Sequence, residues 1–258
     1  MDRMPMPTGR AAIRSLREIE LIRVSSRIVA EVLERMREWV VPGVTGIELD
    51  RRAEELMRAR GGVPSFKGYL GYPASICVSI NEQVVHGIPS ERRLEEGDLV
   101  GVDVGVVKNG YHGDAARTLP VGEVSAEGRK LLEIGEEALR RGIDAARPGN
   151  YVGDIGHAVQ SFVEKAGYSV VRDLVGHGIG ERLHEDPQIP NHGRRGTGEP
   201  LQVGMVLAIE PMVNVGDWRV VTLPDHWTVV TADRSLSVHF ENTVAITEKG
   251  PEVLTQTA

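Results

Sequence analysis

A single cysteine, Cys77, stands among 258 residues. No internal disulfide can form, and no cysteine-built zinc site exists. A reducing compartment, the cytoplasm, fits that usage. Aromatic residues are scarce, at 4%. No apolar run approaches the roughly 18 residues that cross a bilayer, so no membrane association is expected. The opening residues lack the apolar stretch of a secretory signal, and residues 1–9, with Pro5 and Pro7, read as a flexible leader. Basic charge is also in deficit. The formal net charge is −7, which argues against DNA or a general nucleic-acid partner. Three catalytic motifs are missing: the GxxxxGK[ST] phosphate loop, the G-x-S-x-G elbow and the H-E-x-x-H zinc helix. What is present is ordinary soluble-globular usage, 41% hydrophobic and 26% charged. A chain this long buries roughly 70–75% of its unfolded surface, which is ample for one sizeable core.

Helical periodicity comes first along the chain. Leu16, Ile19, Ile22, Val29, Val32, Leu33 and Met36 recur at spacings of three, four and seven, which predicts a helix that ends at Pro42-Gly43. A second amphipathic helix is expected over 47–60, ending at Gly61-Gly62. A repeat then emerges at an offset of 106. Pro42-Gly43 matches Pro148-Gly149. Leu49, Ala53, Leu56 and Met57 match Ile155, Val159, Phe162 and Val163, and Gly61 matches Gly167. About one offset on, GDLVGVD over 97–103 aligns with GMVLAIE over 204–210. No Ser/Gly-rich linker separates the halves. The expectation is one α/β domain over 10–258, with half-repeats at about 42–145 and 148–250. Strands are expected at 76–80, 99–108, 170–175, 205–210, 218–222, 227–231 and 237–247. The turn-prone residues between several of them favour antiparallel pairing.

Three positions in these strands, 103, 210 and 241, carry acids that packing explains poorly, and Asp114, bland on its own, joins them. Val100, Val102, Val104 and Val106 share one face of 99–108, and Asp103 lies on the other, between Gly101 and Gly105. Asp114 follows the turn Lys108-Asn109-Gly110, so a hairpin can return it beside Asp103. Two adjacent carboxylates repel unless a cation lies between them or one is protonated. Glu210 ends an apolar strand, where a buried acid needs a partner. Glu241 sits inside the last strand, on one face with His239 and Thr243. His177 lies among glycines in Gly176-His177-Gly178-Ile179-Gly180, and His184 follows seven residues later. His112, His157, His192 and His226 read as ordinary structural histidines. Four acids and one imidazole converging from strands suit a pair of divalent cations, drawn from Mn, Fe, Co or Zn rather than a thiolate-loving metal. Two such cations roughly 3.5–4 Å apart acidify water and clamp a tetrahedral intermediate, so the chemistry implied is hydrolysis.

At this point the sequence closely resembles the methionine aminopeptidases, over about 10–253. The resemblance rests on YPASICVSINEQVVHGIP at 72–89, GVDVG at 101–105, YHGD at 111–114, GHGIG at 176–180, HEDP at 184–187, IEPM at 209–212 and HFENT at 239–243. It implies an α+β pita-bread fold: two pseudo-equivalent halves around a central antiparallel sheet covered by helices. It implies that Asp114 and Glu241 bridge two divalent metals, Asp103 binds one, and His177 and Glu210 bind the other. Glu210 would also move protons, His184 would polarise the scissile carbonyl, and His86 would contact the substrate amine or amide. Tyr69, Tyr72, Cys77, Phe66 and Trp227 map to the methionine pocket; Phe66 and Leu183 depart from the family's usual side chains there. The resemblance is to the type I members of bacterial kind, with an organellar member as the alternative, and it implies a cytoplasmic enzyme. The implied activity is removal of the initiator methionine from nascent chains when the second residue is small and uncharged, by a monomer in transient contact with the ribosome. By the same token this chain's own Met1-Asp2 should stay uncleaved. The alternatives are an Xaa-Pro aminopeptidase or prolidase-like enzyme, and a non-catalytic binding protein of the same fold.

Overall fold

The structure, a computed structural model, describes residues 11–257. The leader expected over 1–9 lies outside the described residues. Helix α1 (Leu16–Trp39) forms where the sequence places it. Ser15 and Glu18 close a reciprocal capping box at its start, an arrangement worth about 1 kcal/mol. Ile19, Ile22, Val29, Val32, Leu33 and Met36 bury the expected stripe, but Leu16 is 86% exposed. Leu16 lies in the first turn, before the helix reaches the sheet. Helix α2 (Gly46–Ala59) carries a second capping box, from Thr45 and Glu48, and buries Leu49, Ala53 and Met57.

Helix α3 (Ala126–Ala145) has no counterpart in the sequence reading, although Leu131, Ile134 and Ala138 are buried at helical spacing. Helix α4 (Val152–Lys165) repeats α2 at the offset of 106 at both ends. The flanking glycines repeat as well: Gly43 and Gly149 have φ 91° and 86°, and Gly61 and Gly167 have φ 70° and 88°. Left-handed backbone of this kind is the province of glycine, which is why these pairs recur at the same turns.

Strand pairing is antiparallel throughout the described residues. The ladders fall into four sheets rather than one continuous sheet. One is centred on Leu99–Lys108, which pairs with Val63–Pro64, Cys77–Ile80 and Tyr111–Pro120. A five-stranded sheet runs in the order Gly250–Val253, Asn242–Thr247, Val206–Ile209, Gly176–Gly178, Glu185–Ile189. Two three-stranded sheets complete the set.

Several expected strands are shorter or divided: 218–222 and 227–231 keep only Val220–Thr222 and Val229–Thr231. Residues 170–175 keep only Ser169–Val170, because Arg172 and Asp173 turn outward into solvent. Residues 237–247 split into Ser237–His239 and Asn242–Thr247. The first piece pairs with Met212–Asn214 and the second with Val206–Ile209. In between, Phe240 N–H donates to Pro211 and Glu241 N–H donates to Ala116, so the chain passes from one sheet to another at Glu241.

The apolar core has a corresponding division. Val100, Val102, Val104 and Val106 pack with α1 and α2 in one cluster. Leu207, Ile209, Val238 and Phe240 pack with α3 and α4 in another. A third, smaller cluster contains Phe66, Tyr72, Cys77, Ile179 and Leu183. The two large clusters hold the acid-bearing strands rigid, and the third lines the cleft that those acids face.

Candidate active site

The hairpin of Leu99–Lys108 and Tyr111–Pro120 sets the first two acids. Asp103 lies opposite Ala116, and Asp114 opposite Gly105. The carboxylates are therefore diagonal neighbours on one face, a separation that side chains readily bridge. That face is crowded: a Cβ at Gly105 would come within 2.5 Å of the Phe66 ring. Gly105 thus lets a cleft wall pack flat beside the acids. Thr243 braces the pair from the other half of the chain. Its hydroxyl accepts from Asp114 N–H at 3.0 Å and donates to the Asp114 carbonyl at 2.7 Å.

The second half supplies the remaining groups. His177 and Ala208 face each other across a ladder, and Asn242 pairs with Ile209. This register brings His177, Glu210 and Glu241 to adjoining strand ends. Atoms of Asp114, His177 and Glu241 lie within 4.8 Å of one another, and all three residues are buried. His177 Nε2 lies 3.6 Å from Glu210 Oε1. His177 Nδ1 is 2.9 Å from the Gly178 carbonyl. A carbonyl only accepts, so Nδ1 carries the proton and Nε2 turns a bare lone pair toward the acids.

Electrostatics favour a cation here. Burial pushes Asp103 and Glu210 up to about 7. Burial, reinforced by neighbouring carboxylates, pushes Asp114 and Glu241 well above the carboxylate range. Asp103, Asp114 and Glu241 each hold one buried oxygen with no hydrogen-bond partner. Unpaired buried acceptors are costly. Three of them, converging with an imidazole lone pair, fit a hard or borderline divalent cation.

The same cluster gives a stability prediction. In metal-free protein the folded-state pKa values of these acids lie above their unfolded values, so folding takes up protons. For Asp103 and Glu210 the contribution to stability is full below about pH 4 and is lost as the pH rises through about 7; Asp114 and Glu241, pushed well above the carboxylate range, also lose theirs as the pH rises. Glu241→Gln should therefore raise the melting temperature of chelator-treated protein more at pH 8 than at pH 5. Equal shifts at the two pH values would contradict the strained-acid account.

Two further imidazoles face the same cleft. His86 has left-handed backbone, φ 58°, and its turn is held by Tyr72, whose hydroxyl donates to the Gly87 carbonyl at 3.0 Å. Burial lowers His86 to about 4. Burial, with neighbouring histidines, lowers His184 to about 2. Both are neutral at physiological pH. The rings of His177 and His184 are 4.3 Å apart. Tyr72 and Trp227 meet edge to face at 5.0 Å. Cys77 lies opposite Asp103 across a ladder, and burial pushes its thiol up, so it is an apolar wall rather than a nucleophile.

One cleft is lined by Phe66, Tyr69, Tyr72, Cys77, His86, Asp103, Asp114, His177, Leu183, His184, Glu210, Trp227 and Glu241. All the residues singled out from the sequence are thus together. His112, by contrast, is not among the residues lining this cleft, and its Nδ1 lies 2.8 Å from Ser65 Oγ. Sequence reasoning missed three participants. Leu70 is a rim residue of the cleft, 55% exposed. His239 lies 4% exposed behind Glu210, with Nε2 3.6 Å from Glu210 Oε2; alternation had put it on the Glu241 face, which was its signal. Arg117 donates to the Glu241 carbonyl and to Asn242, fixing the crossing between sheets, and no sequence pattern points to it.

Comparisons with known proteins agree with this geometry. The model of metallopeptidase family M24 matches residues 20–248. The methionine aminopeptidase of Clostridium perfringens is 54% identical over 243 residues, covering 94% of this chain and 98% of that protein. The crystal structure of methionine aminopeptidase from Thermotoga maritima superposes with a TM-score of 0.94 at 48% identity, covering 96% of this chain and all of that one. Prolidase from Pyrococcus furiosus is more distant: TM-score 0.77, 28% identity, and 66% of that chain covered. The pita-bread fold of these relatives is the α+β architecture described above.

Proposed function

The chain belongs to metallopeptidase family M24, and on that footing we propose that it is a methionine aminopeptidase. Its substrate is a peptide whose N-terminal methionine precedes a small, uncharged residue. The observation that carries this reading is the convergence, in one cleft, of a buried acid–imidazole cluster, two neutral histidines and an apolar, sulfur-bearing wall.

Asp114 and Glu241 would hold two divalent cations in common, with Asp103 on one side and His177 and Glu210 on the other. When bound, such cations supply Lewis acidity that lowers the pKa of water and polarises the scissile carbonyl. The rest falls to the chain. Tyr72, Cys77, Phe66, Trp227 and the ring of Tyr69 enclose the methionine side chain, whose thioether favours aromatic and sulfur contacts. His184, neutral, donates to the scissile carbonyl oxygen as it gains charge. Glu210, which lines the cleft beside the acid cluster, takes the proton from the attacking water and passes it to the departing amine as the C–N bond breaks. His86 contacts the substrate amine or amide and helps the leaving nitrogen.

The reading extends to a metal pair drawn from Mn, Fe, Co or Zn. It extends also to nascent chains met by a cytoplasmic monomer in transient contact with the ribosome. We read the chain as one domain, its half-repeats at 42–145 and 148–250 closing on the site; the matched bounds of α2 and α4 support this.

A peptide panel tests the specificity. Metal-loaded protein should release methionine from Met-Ala-Ser and Met-Gly-Ser, and should leave Met-Lys-Ser and Ala-Pro-Ser intact, as read by mass spectrometry. Cleavage of Ala-Pro-Ser with Met-Ala-Ser untouched would replace this reading with the Xaa-Pro alternative.

A further inference from the structure

Tyr69 presents two different surfaces to the site. Its ring lines the cleft, while its hydroxyl lies 2.8 Å from His184 Nδ1, the two rings 5.3 Å apart and tilted by 38°. The tyrosine opens the tight turn Tyr69–Gly71, and the next residue, Leu70, has φ 49° between Gly68 at 85° and Gly71 at 88°. Left-handed backbone is uncommon for leucine, and the Leu70 side chain is 55% exposed. The turn is held closed by Tyr69 N–H to Phe66, Gly71 N–H to Gly68 and Gly68 N–H to Tyr72. Its geometry serves to aim Tyr69 rather than to pack Leu70. Observed backbone strain of this kind is a pointer to function.

We propose that Tyr69 is a positioning residue whose hydroxyl donates to His184 Nδ1 and so fixes the tautomer in which Nε2 carries the proton and presents it to the scissile carbonyl oxygen. The inference deepens the function proposed above and rests on it. A neutral imidazole has one donor and one acceptor, and the bond made by one nitrogen selects the role of the other. In the reverse tautomer, Nε2 would turn a lone pair toward the carbonyl oxygen, and the two acceptors would repel. Next to it, His177 is fixed the other way: its Nδ1–H donates to the Gly178 carbonyl at 2.9 Å. Two rings 4.3 Å apart are thus locked in opposite tautomers, one offering a lone pair to the acid cluster and one a proton to the substrate. A main-chain carbonyl sets the first and a phenol sets the second, and this fixing of an imidazole by the partner of its far nitrogen is a general device in metal sites and active sites.

Tyr69→Phe tests the proposal, because it keeps the ring in the cleft wall and removes only the hydroxyl. In zinc-loaded native protein, nitrogen-15 shifts of the His184 imidazole should report the Nε2–H tautomer, and Tyr69→Phe should show a mixture. With Met-Ala-Ser, kcat should fall about tenfold, the worth of one net hydrogen bond, with KM little changed. An Nδ1–H tautomer in the native protein would overturn the proposal without recourse to any variant. So would a Tyr69→Phe protein with native tautomer and native kcat, or one in which KM rises while kcat holds, which would make the hydroxyl part of the methionine pocket. Should the native protein release no methionine, the proposed function fails, and the imidazole shifts still decide the tautomer on their own.

Discussion

Glu241→Ala and Asp114→Ala are each expected to abolish methionine release and to lower the metal bound by the purified protein. The loss should be at least about 10³-fold in kcat/KM, the scale seen when a principal group stabilising developing charge is removed. The expectation follows from position. Asp114 and Glu241 are 4% and 2% exposed, come from opposite halves of the chain, and meet His177 within 4.8 Å. Each holds one buried oxygen without a partner, which a cation would satisfy and which nothing else nearby does. Misfolding would not explain the loss, because removing an acid from a cluster of like charges relieves repulsion in the metal-free protein. The variants should therefore melt no lower than the native protein when both are chelated. Unchanged metal content in both variants, by elemental analysis, would contradict the assignment of these two residues.

His184→Ala should give the second large effect, with a different signature. Its Nδ1 is engaged by Tyr69, and it lines the cleft beside His177. A neutral donor aimed at the substrate acts on turnover. The fall in kcat should be about 10²–10³-fold, with the metal content of the native protein retained. Loss of metal from His184→Ala would make the residue a ligand and would require the cluster to be redrawn. A rise in KM with kcat unchanged would make it a binding residue only.

The residues that line the cleft stand out in the sequence more clearly than the sheets do. Asp103 was conspicuous because four valines define one face of its strand and leave the acid alone on the other. His177 was conspicuous because glycines flank it. The 106-residue offset was legible because helix starts, stops and glycine turns are local features, and α2 and α4 reproduce them. Strand continuity is not local. Residues 237–247 carry an unbroken pattern, yet the ladder ends at His239 and a new one starts at Asn242, because Glu241 crosses between sheets. The partners that force the break, Pro211 and Ala116, are remote in sequence. His239 was overlooked for a related reason. Its face was correctly read, but the acid it stands behind, Glu210, arrives from another sheet. Leu70 gave no signal because its left-handed backbone follows from the loop around it.

The central claim is that this buried cluster holds divalent cations that make the cleft a methionine-releasing site. One titration tests it: chelate the protein, then add Mn, Fe, Co or Zn stepwise in separate series while following methionine release from Met-Ala-Ser. The account predicts no turnover in chelated protein and recovery with at least one of these metals. It predicts no recovery by any of them in Glu241→Ala. Undiminished turnover in fully chelated native protein would contradict it, as would silence with every metal.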